Sequence, residues 1–330
     1  MSSMGDVIHI FPALTDLAMH FHEHELHVDW VVEESFASLC KLHPAVNSVI
    51  PVAIRRWRKA PFKKNTWREV GDFRQKIRSH KYDIILDAQG LLKSALVARA
   101  ARGKRVGYDR ASIREPIASL FYDQRYVVSR DQHAINRLRV LFASVFDYSL
   151  SEVIPNYGLT NESSTHNKQA IFIHSTSWDS KHLPESHWVE LVKLAVKDGY
   201  EVLFPWYSAE ELSRAERIIE GSGSGQLLPK LNLDGLADMI ARMSIMIGMD
   251  TGLSHLAAAY NIPGVIIYGS TSKRLTGVIG QKQTSLQMDY HCSPCMKRQC
   301  VRPTSSGDAP CYLSAAPYDI WDRATKIQNQ

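Results

Sequence analysis

The sequence predicts an α/β chain built from two doubly wound units, each a parallel sheet with helices on both faces. Three observations carry that reading. Short β-rich runs alternate with helical segments through both halves of the chain. The runs Ile245-Met246-Ile247-Gly248-Met249 and Gly264-Val265-Ile266-Ile267-Tyr268 are apolar without alternation, as strands covered on both faces are. A length of 330 residues suits two ordinary domains, each able to bury its own core.

The chain opens on Ser2-Ser3-Met4-Gly5-Asp6, and a helical segment follows to about His20. A doubly wound unit ordinarily begins with a buried strand feeding its first ligand loop. Here the loop comes first, so the first strand is expected to be missing from this unit. Val28-Asp29-Trp30-Val31-Val32 reads as a buried strand. It is followed by strands over 49–54, where Pro51 suggests an edge or a strand start, and over 82–87. Between these last two a helix is predicted over 66–80. Thr66 is its N-cap, Glu69 completes a capping box, and Trp67, Val70, Phe73 and Ile77 form the inward stripe. The second half repeats the rhythm, with strands over 170–174 and 201–205 and helices over 185–197, 209–220 and 233–242. Leu236, Met239 and Ile240 face inward on the last of these. The polar stretch Asn161-Glu162-Ser163-Ser164-Thr165-His166-Asn167-Lys168 has a linker's composition and divides the chain into domains 1–160 and 161–330.

The net charge is +5, but residues 55–64 hold six basic groups and no acid, so the remainder carries 33 basic against 34 acidic groups. The chain is therefore near neutral with one basic segment. That segment, with Trp57 and Phe62, is a legitimate nucleic-acid footprint, but no nucleic-acid motif accompanies it, and nucleic acid is not expected as a partner. No run approaches the ~20 apolar residues of a membrane span. The N-terminus has no cationic flank before an apolar core, so no signal peptide is expected, and the cytoplasm is the expected compartment.

The most informative segment is Asp250-Thr251-Gly252-Leu253-Ser254-His255, which follows a buried strand and opens a helix. Backbone N–H groups and the positive dipole end of that helix suit a diphosphate. Thr251 and Ser254 would add hydroxyls, Gly252 close backbone approach, and His255 a ring within reach. An ordinary helix capped by Asp250 or Thr251 fits the same residues equally well. A second polar loop, His174-Ser175-Thr176-Ser177 with Lys181, follows another strand and offers two hydroxyls and a cation to phosphate oxygens. Gly5-Asp6 offers a carboxylate that could act as an N-cap or as a general base toward a hydroxyl.

Several blocks resemble a known family: Ser2-Ser3-Met4-Gly5-Asp6-Val7-Ile8-His9, Asp29–Glu34, Ile50–Ala60, Asp87-Ala88-Gln89-Gly90-Leu91, Arg114-Glu115-Pro116 and Asp250–His255. The chain is similar to the lipopolysaccharide heptosyltransferases of glycosyltransferase family 9, over nearly all of it up to about Gly280. The Arg55-Arg56-Trp57-Arg58-Lys59 block is similar to the type I branch rather than type II, although type II or another sugar-nucleotide transferase remains the alternative. The resemblance implies a GT-B fold of two Rossmann-like domains facing a cleft. It implies inverting transfer of L-glycero-D-manno-heptose from ADP-heptose to Kdo-lipid A, with no cofactor, at the cytoplasmic face of the inner membrane. It further implies Asp6 as catalytic base. Thr176, Ser177, Lys181, Glu211, Leu231, Asp250, Thr251, Gly252 and His255 would hold ADP-heptose. Arg55, Arg56, Lys59 and Arg114 would meet the acceptor.

Three clusters draw a blander reading. Cys292, Cys295, Cys300 and Cys311 open with Cys-x-x-Cys, but the wider spacing is irregular, so free thiols are favoured over zinc and no metal site is assigned. His20, His24 and His27 share a helical face, yet Glu23 and Glu25 among them suggest a solvated helix end. Gly221-Ser222-Gly223-Ser224-Gly225 follows a helix, not a strand, and reads as a flexible connection.

Overall fold

Ser3 caps the first helix, α1 (Met4–Ile8), its hydroxyl accepting the Asp6 N–H at 3.2 Å. The computed structural model describes residues 3–151, 153–160 and 168–330, and the chain divides into two compact units, Met1–Gly158 and Leu159–Gln330. Residues 161–167 of the predicted linker lie outside the described residues.

In the first unit, α2 (Phe11–His20) buries Phe11, Leu14 and Leu17 and leads to β1 (Asp29–Glu33). Next come α3 (Ala37–Lys41), β2 (Ser48–Val52), α4 (Ile54–Trp57), α5 (Lys64–Ile77) and β3 (Lys81–Asp87). The unit closes with α6 (Leu92–Ala100), β4 (Arg102–Tyr108), β5 (Gln124–Tyr126) and α7 (Ala134–Phe146). All strand pairs are parallel, in two separate ladders ordered β1-β2 and β3-β4-β5. Between β1 and β3 lie two cavities of about 170 and 480 Å³, lined by Ile10, Trp30, Tyr82, Ile84 and Leu86 among others. A hydrogen bond from Tyr82 Oη to Asp29 Oδ2 (2.7 Å) spans this slot.

The helix predicted over 66–80 begins two residues earlier, with Lys63 as its N-cap and no side-chain capping bond. Thr66 donates instead to the Ala60 carbonyl (2.8 Å). Glu69 completes no capping box, because Arg56, Trp57 Nε1 and Asn65 all donate to its carboxylate, at 2.8, 2.8 and 2.7 Å. The predicted inward stripe also divides. Ile77 is buried and Phe73 packs edge-on against Trp57, but Trp67 is 67% exposed.

In the second unit the strands are β6 (Gln169–Ile173), β7 (Glu201–Phe204), β8 (Gln226–Leu227), β9 (Ile245–Met249), β10 (Gly264–Tyr268) and β11 (Gln283–Gln287). They form one parallel sheet in the order β11-β10-β9-β6-β7-β8, so the first strand sits centrally and the winding reverses between β6 and β9. The intervening helices α8 (Glu185–Lys197), α9 (Ala209–Ser222), α10 (Leu233–Ala241), α11 (Gly252–Ala259) and α12 (Lys273–Thr276) match the prediction closely where one was made. The C-terminal α13 (Pro317–Gln328) packs Trp321 and Ile320 into the core with Phe172, Trp188 and Phe204. No described helix is long and apolar enough to cross a membrane.

Among the described residues, His43 in the first unit and His174 in the second are the most deeply buried histidines, and both are neutral. His43 Nδ1 accepts the Ala45 N–H, so Nε2 carries the proton and donates to Thr15 Oγ1 at 3.0 Å. His174 donates from Nε2 to the Glu211 carbonyl at 3.0 Å. Burial pushes both rings down to about 4 from the ordinary 6.5. Below pH 6.5 the unfolded chain binds protons that the folded chain refuses, so stability falls as the pH drops toward 4. Between pH 7 and 5 each histidine is expected to cost about 2 kcal/mol. Denaturant unfolding at the two pH values measures this, and His43→Gln should flatten the dependence of the first unit alone. A flat pH profile for the parent chain would contradict the assignment.

Candidate active site

Five loops of the second unit, after β6, β7, β8, β9 and β10, leave the carboxyl edge of its sheet, where ligands of open α/β sheets bind. The loop after β6 carries Thr176, Ser177 and Lys181, and the one after β9 carries Asp250, Thr251, Gly252 and His255. These two strands are neighbours at the winding reversal. Lys181 Nζ reaches across it to Asp250 Oδ2 (2.7 Å) and to the Asp250 carbonyl (3.2 Å). Thr271, after β10, donates to the same carboxylate oxygen at 2.6 Å, and His255 Nε2 lies 3.7 Å from the other. Burial alone would raise the Asp250 pKa. The His255 ring and the Lys181 ammonium more than offset it and hold the carboxyl well below the usual range.

Neither candidate cap of the 250–255 segment makes a side-chain bond to the start of the helix. Asp250 faces Lys181 and Thr271, and Thr251, the N-cap of α11, makes no side-chain capping bond. The first N–H groups of α11 and the Thr251 hydroxyl therefore stay available to an anion. Ser254 does not: it is fully buried and donates to the Met249 carbonyl at 2.6 Å, which corrects its reading as a phosphate donor. Gly248 makes that contact possible, since a Cβ there would stand 2.3 Å from Ser254 Oγ.

Glu211 sits after β7 in the first turn of α9. Its carboxylate accepts the Tyr207 N–H at 2.8 Å while the N-cap Ser208 Oγ accepts the Glu211 N–H at 3.2 Å, two bonds that fix the loop. Leu231 follows β8 at the same edge and is partly exposed. The tail buttresses the 174–181 loop. Ser180 donates its N–H to the Arg298 carbonyl and its hydroxyl to the Lys297 carbonyl (2.5 Å), and Met296 N–H reaches the Ser270 carbonyl. Cys292, Cys295, Cys300 and Cys311 line one cavity of about 220 Å³ with His291, and all four are free thiols. Burial and the neighbouring thiols push Cys311 up to about 11. Among the described residues no group of three or more His, Cys, Asp or Glu is arranged to hold a metal ion.

In the first unit, Asp6 lines a cavity of about 90 Å³ with His9, Gln89, Tyr108, Arg114 and Arg137. Ser3 Oγ donates to Asp6 Oδ2 at 2.8 Å. The 87–91 loop is locked from behind: Asp87 accepts the N–H groups of Gln89 and Gly90 and the Tyr122 hydroxyl (2.6 Å). Gly90 is left-handed (φ +68°), and a Cβ there would lie 2.7 Å from Ile113. Its carbonyl accepts the Glu115 N–H, which sets the exposed Arg114 over the cavity.

The basic segment divides. Arg56 is committed to Glu34 (3.0 Å) and Glu69 (2.8 Å), so its guanidinium is spent within the fold. Arg55 and Lys59 are exposed. Arg137 and Thr271 were missed by the sequence reading. Thr271 could have been found, because Ser270-Thr271 is a polar pair ending an apolar strand. Arg137 lies inside α7, where nothing in the sequence marks it.

The description "Glycosyltransferase family 9 (heptosyltransferase)" matches residues 70–305. The chain belongs to glycosyltransferase family 9. It is 43% identical over 312 residues to lipopolysaccharide heptosyltransferase 1 of Pseudomonas aeruginosa, covering 92% of this chain and 86% of the relative. It is equally identical, over 288 residues, to the Escherichia coli K12 protein of the same name, covering 86% of this chain and 90% of the relative. The solved structure of E. coli heptosyltransferase WaaC with ADP superposes with a TM-score of 0.83 at 42% identity, covering 88% of this chain and 92% of that one. The same enzyme with ADP-2-deoxy-2-fluoro heptose gives 0.80, covering 88% and 91%. E. coli heptosyltransferase II, at 20% identity and a TM-score of 0.74, shares the fold. Membership makes this chain a glycosyltransferase, and the two parallel-sheet units of the GT-B expectation stand in the structure.

Proposed function

We propose that this glycosyltransferase moves L-glycero-D-manno-heptose from ADP-heptose to the Kdo of Kdo-lipid A, an early step of lipopolysaccharide core assembly. The observation that carries the reading is the uncapped start of α11 beside the Lys181–Asp250 pair at the winding reversal, in a chain 42% identical to the E. coli enzyme solved with ADP. In this reading the diphosphate lies over the N–H groups of residues 252 and 253, with Thr176, Ser177 and Thr251 hydroxyls and Lys181 on its oxygens. Asp250 and His255 orient Lys181, and Leu231 offers apolar surface to the base. Glu211 holds its loop and presents the remaining carboxylate edge to sugar hydroxyls.

Asp6 takes the proton from the acceptor hydroxyl as that oxygen attacks the anomeric carbon opposite ADP, so one displacement inverts the configuration. The departing diphosphate gains negative charge, which the helix dipole and Lys181 meet. Arg114 faces the acceptor at Asp6, and the exposed Arg55 and Lys59 of the basic segment meet its more distant anionic groups, with Arg56 bracing that segment on Glu34 and Glu69. No cofactor enters the scheme. Because Kdo-lipid A is membrane-bound, the enzyme works peripherally at the cytoplasmic face of the inner membrane.

The test is transfer from ADP-heptose to purified Kdo-lipid A, followed by mass spectrometry of the product. One added heptose is the expected result. Transfer only to an acceptor that already carries heptose would assign the type II reaction instead.

A further inference from the structure

Phe62 is 96% exposed and Trp67 is 67% exposed, five residues apart across the turn that enters α5. Single exposed apolar residues are ordinary, but two large exposed rings within six residues of one basic segment are not. The turn is built to hold them outward. Thr66 Oγ1 and the Lys63 N–H both bond the Ala60 carbonyl, and Trp57 is anchored beneath on Glu69 and Phe73. The same segment carries Arg58, Lys59, Lys63, Lys64 and Arg68, all exposed. No acidic residue lies between 55 and 68. The nearest, Glu69, is turned inward onto Arg56, Trp57 and Asn65. Asp72, one turn further along α5, is the next exposed acid.

We propose that this face docks on a bilayer containing anionic phospholipid, with Phe62 and Trp67 entering the headgroup–acyl boundary and Lys63, Lys64 and Arg68 meeting lipid phosphates. Aromatic rings flanked by basic side chains are the pattern that suits that boundary, where apolar and charged groups are both satisfied. The inference deepens the proposed function, because it places the first unit on the surface that holds a lipid-linked acceptor. Phe62, Lys63, Lys64, Trp67 and Arg68, on which it rests, lie outside the residues assigned to transfer.

The experiment is flotation of the full chain with vesicles of phosphatidylethanolamine and phosphatidylglycerol, without any acceptor, against vesicles of phosphatidylcholine alone. Binding to the anionic vesicles, falling with salt, is expected. Phe62→Ser/Trp67→Ser should weaken partitioning at least about tenfold, and Lys63→Gln/Lys64→Gln about 25-fold. Both variants should keep the parent's rate on a Kdo acceptor lacking acyl chains, which shows them folded and separates this inference from the function itself. Equal binding to both vesicle types, parent-like binding by the variants, no binding at all, or tighter binding to an oligonucleotide would each overturn the proposal.

Discussion

Asp6→Asn is expected to lower the transfer rate by about 10³-fold while ADP-heptose binds as before. The amide is isosteric and can still accept from Ser3 Oγ, which lies 2.8 Å from Oδ2, so the start of α1 should persist. What disappears is the acceptor for the hydroxyl proton at the moment of attack. The donor loops belong to the second unit, so donor affinity is an internal control on folding. Single-turnover rates together with calorimetric titration of the donor measure both quantities. A variant with turnover within about tenfold of the parent would remove Asp6 as the base.

The second large effect falls on the buried ion pair of the donor loops. Asp250→Asn leaves the Lys181 ammonium, 13% exposed, without its charge partner. Breaking one side of such a pair costs about 3–5 kcal/mol, read as loss of stability in the second unit. Weaker ADP binding should accompany it, because Lys181 loses the group that aims it. Lys181→Met should give a similar loss, and the double variant less than the sum, since neither charge is then stranded. A loss under about 1 kcal/mol would mean that water reaches the pair freely. The pH dependence of this contribution is opposite in position to that of the histidines. The folded Asp250 carboxyl lies below its unfolded value, so its stabilisation is full above about pH 4 and fades only as acid passes below that. The histidine cost is incurred earlier, between 6.5 and 4.

The second unit was legible almost element by element, because its strands are buried on both faces and read as unbroken apolar runs. The donor loops were legible for the same reason, as polar residues stand out at the ends of such strands. Their internal division of labour was not. Ser254 and Thr251 are both hydroxyl residues in one segment, and only the depth of Ser254 beneath Gly248 tells the buried tether from the available donor. In the first unit, sequence proximity misled. Glu69 stands where a capping box wants it, yet three donors from other turns outcompete the helix N–H for its carboxylate. Trp67 has the right spacing for a core stripe, but the stripe starts where α5 has not yet reached the sheet. Arg56 looks like its neighbours Arg55 and Lys59 until Glu34, 22 residues earlier, is brought against it. Charge partners of that kind are set by tertiary structure and leave no local mark.

The slot between β1 and β3 has a further bearing on how the first unit comes apart. A continuous parallel sheet resists splitting because every ladder must break together. Here the two-stranded and three-stranded ladders already meet along a seam without a shared backbone pair among the described residues. Cohesion across the first unit rests on side chains such as Tyr82 on Asp29 and, between α2 and α7, the Arg139–Asp16 ion pair at 2.6 Å. Opening along this seam would break side-chain contacts and no ladder hydrogen bond among the described residues, whereas the six strands of the second unit are joined in one continuous ladder.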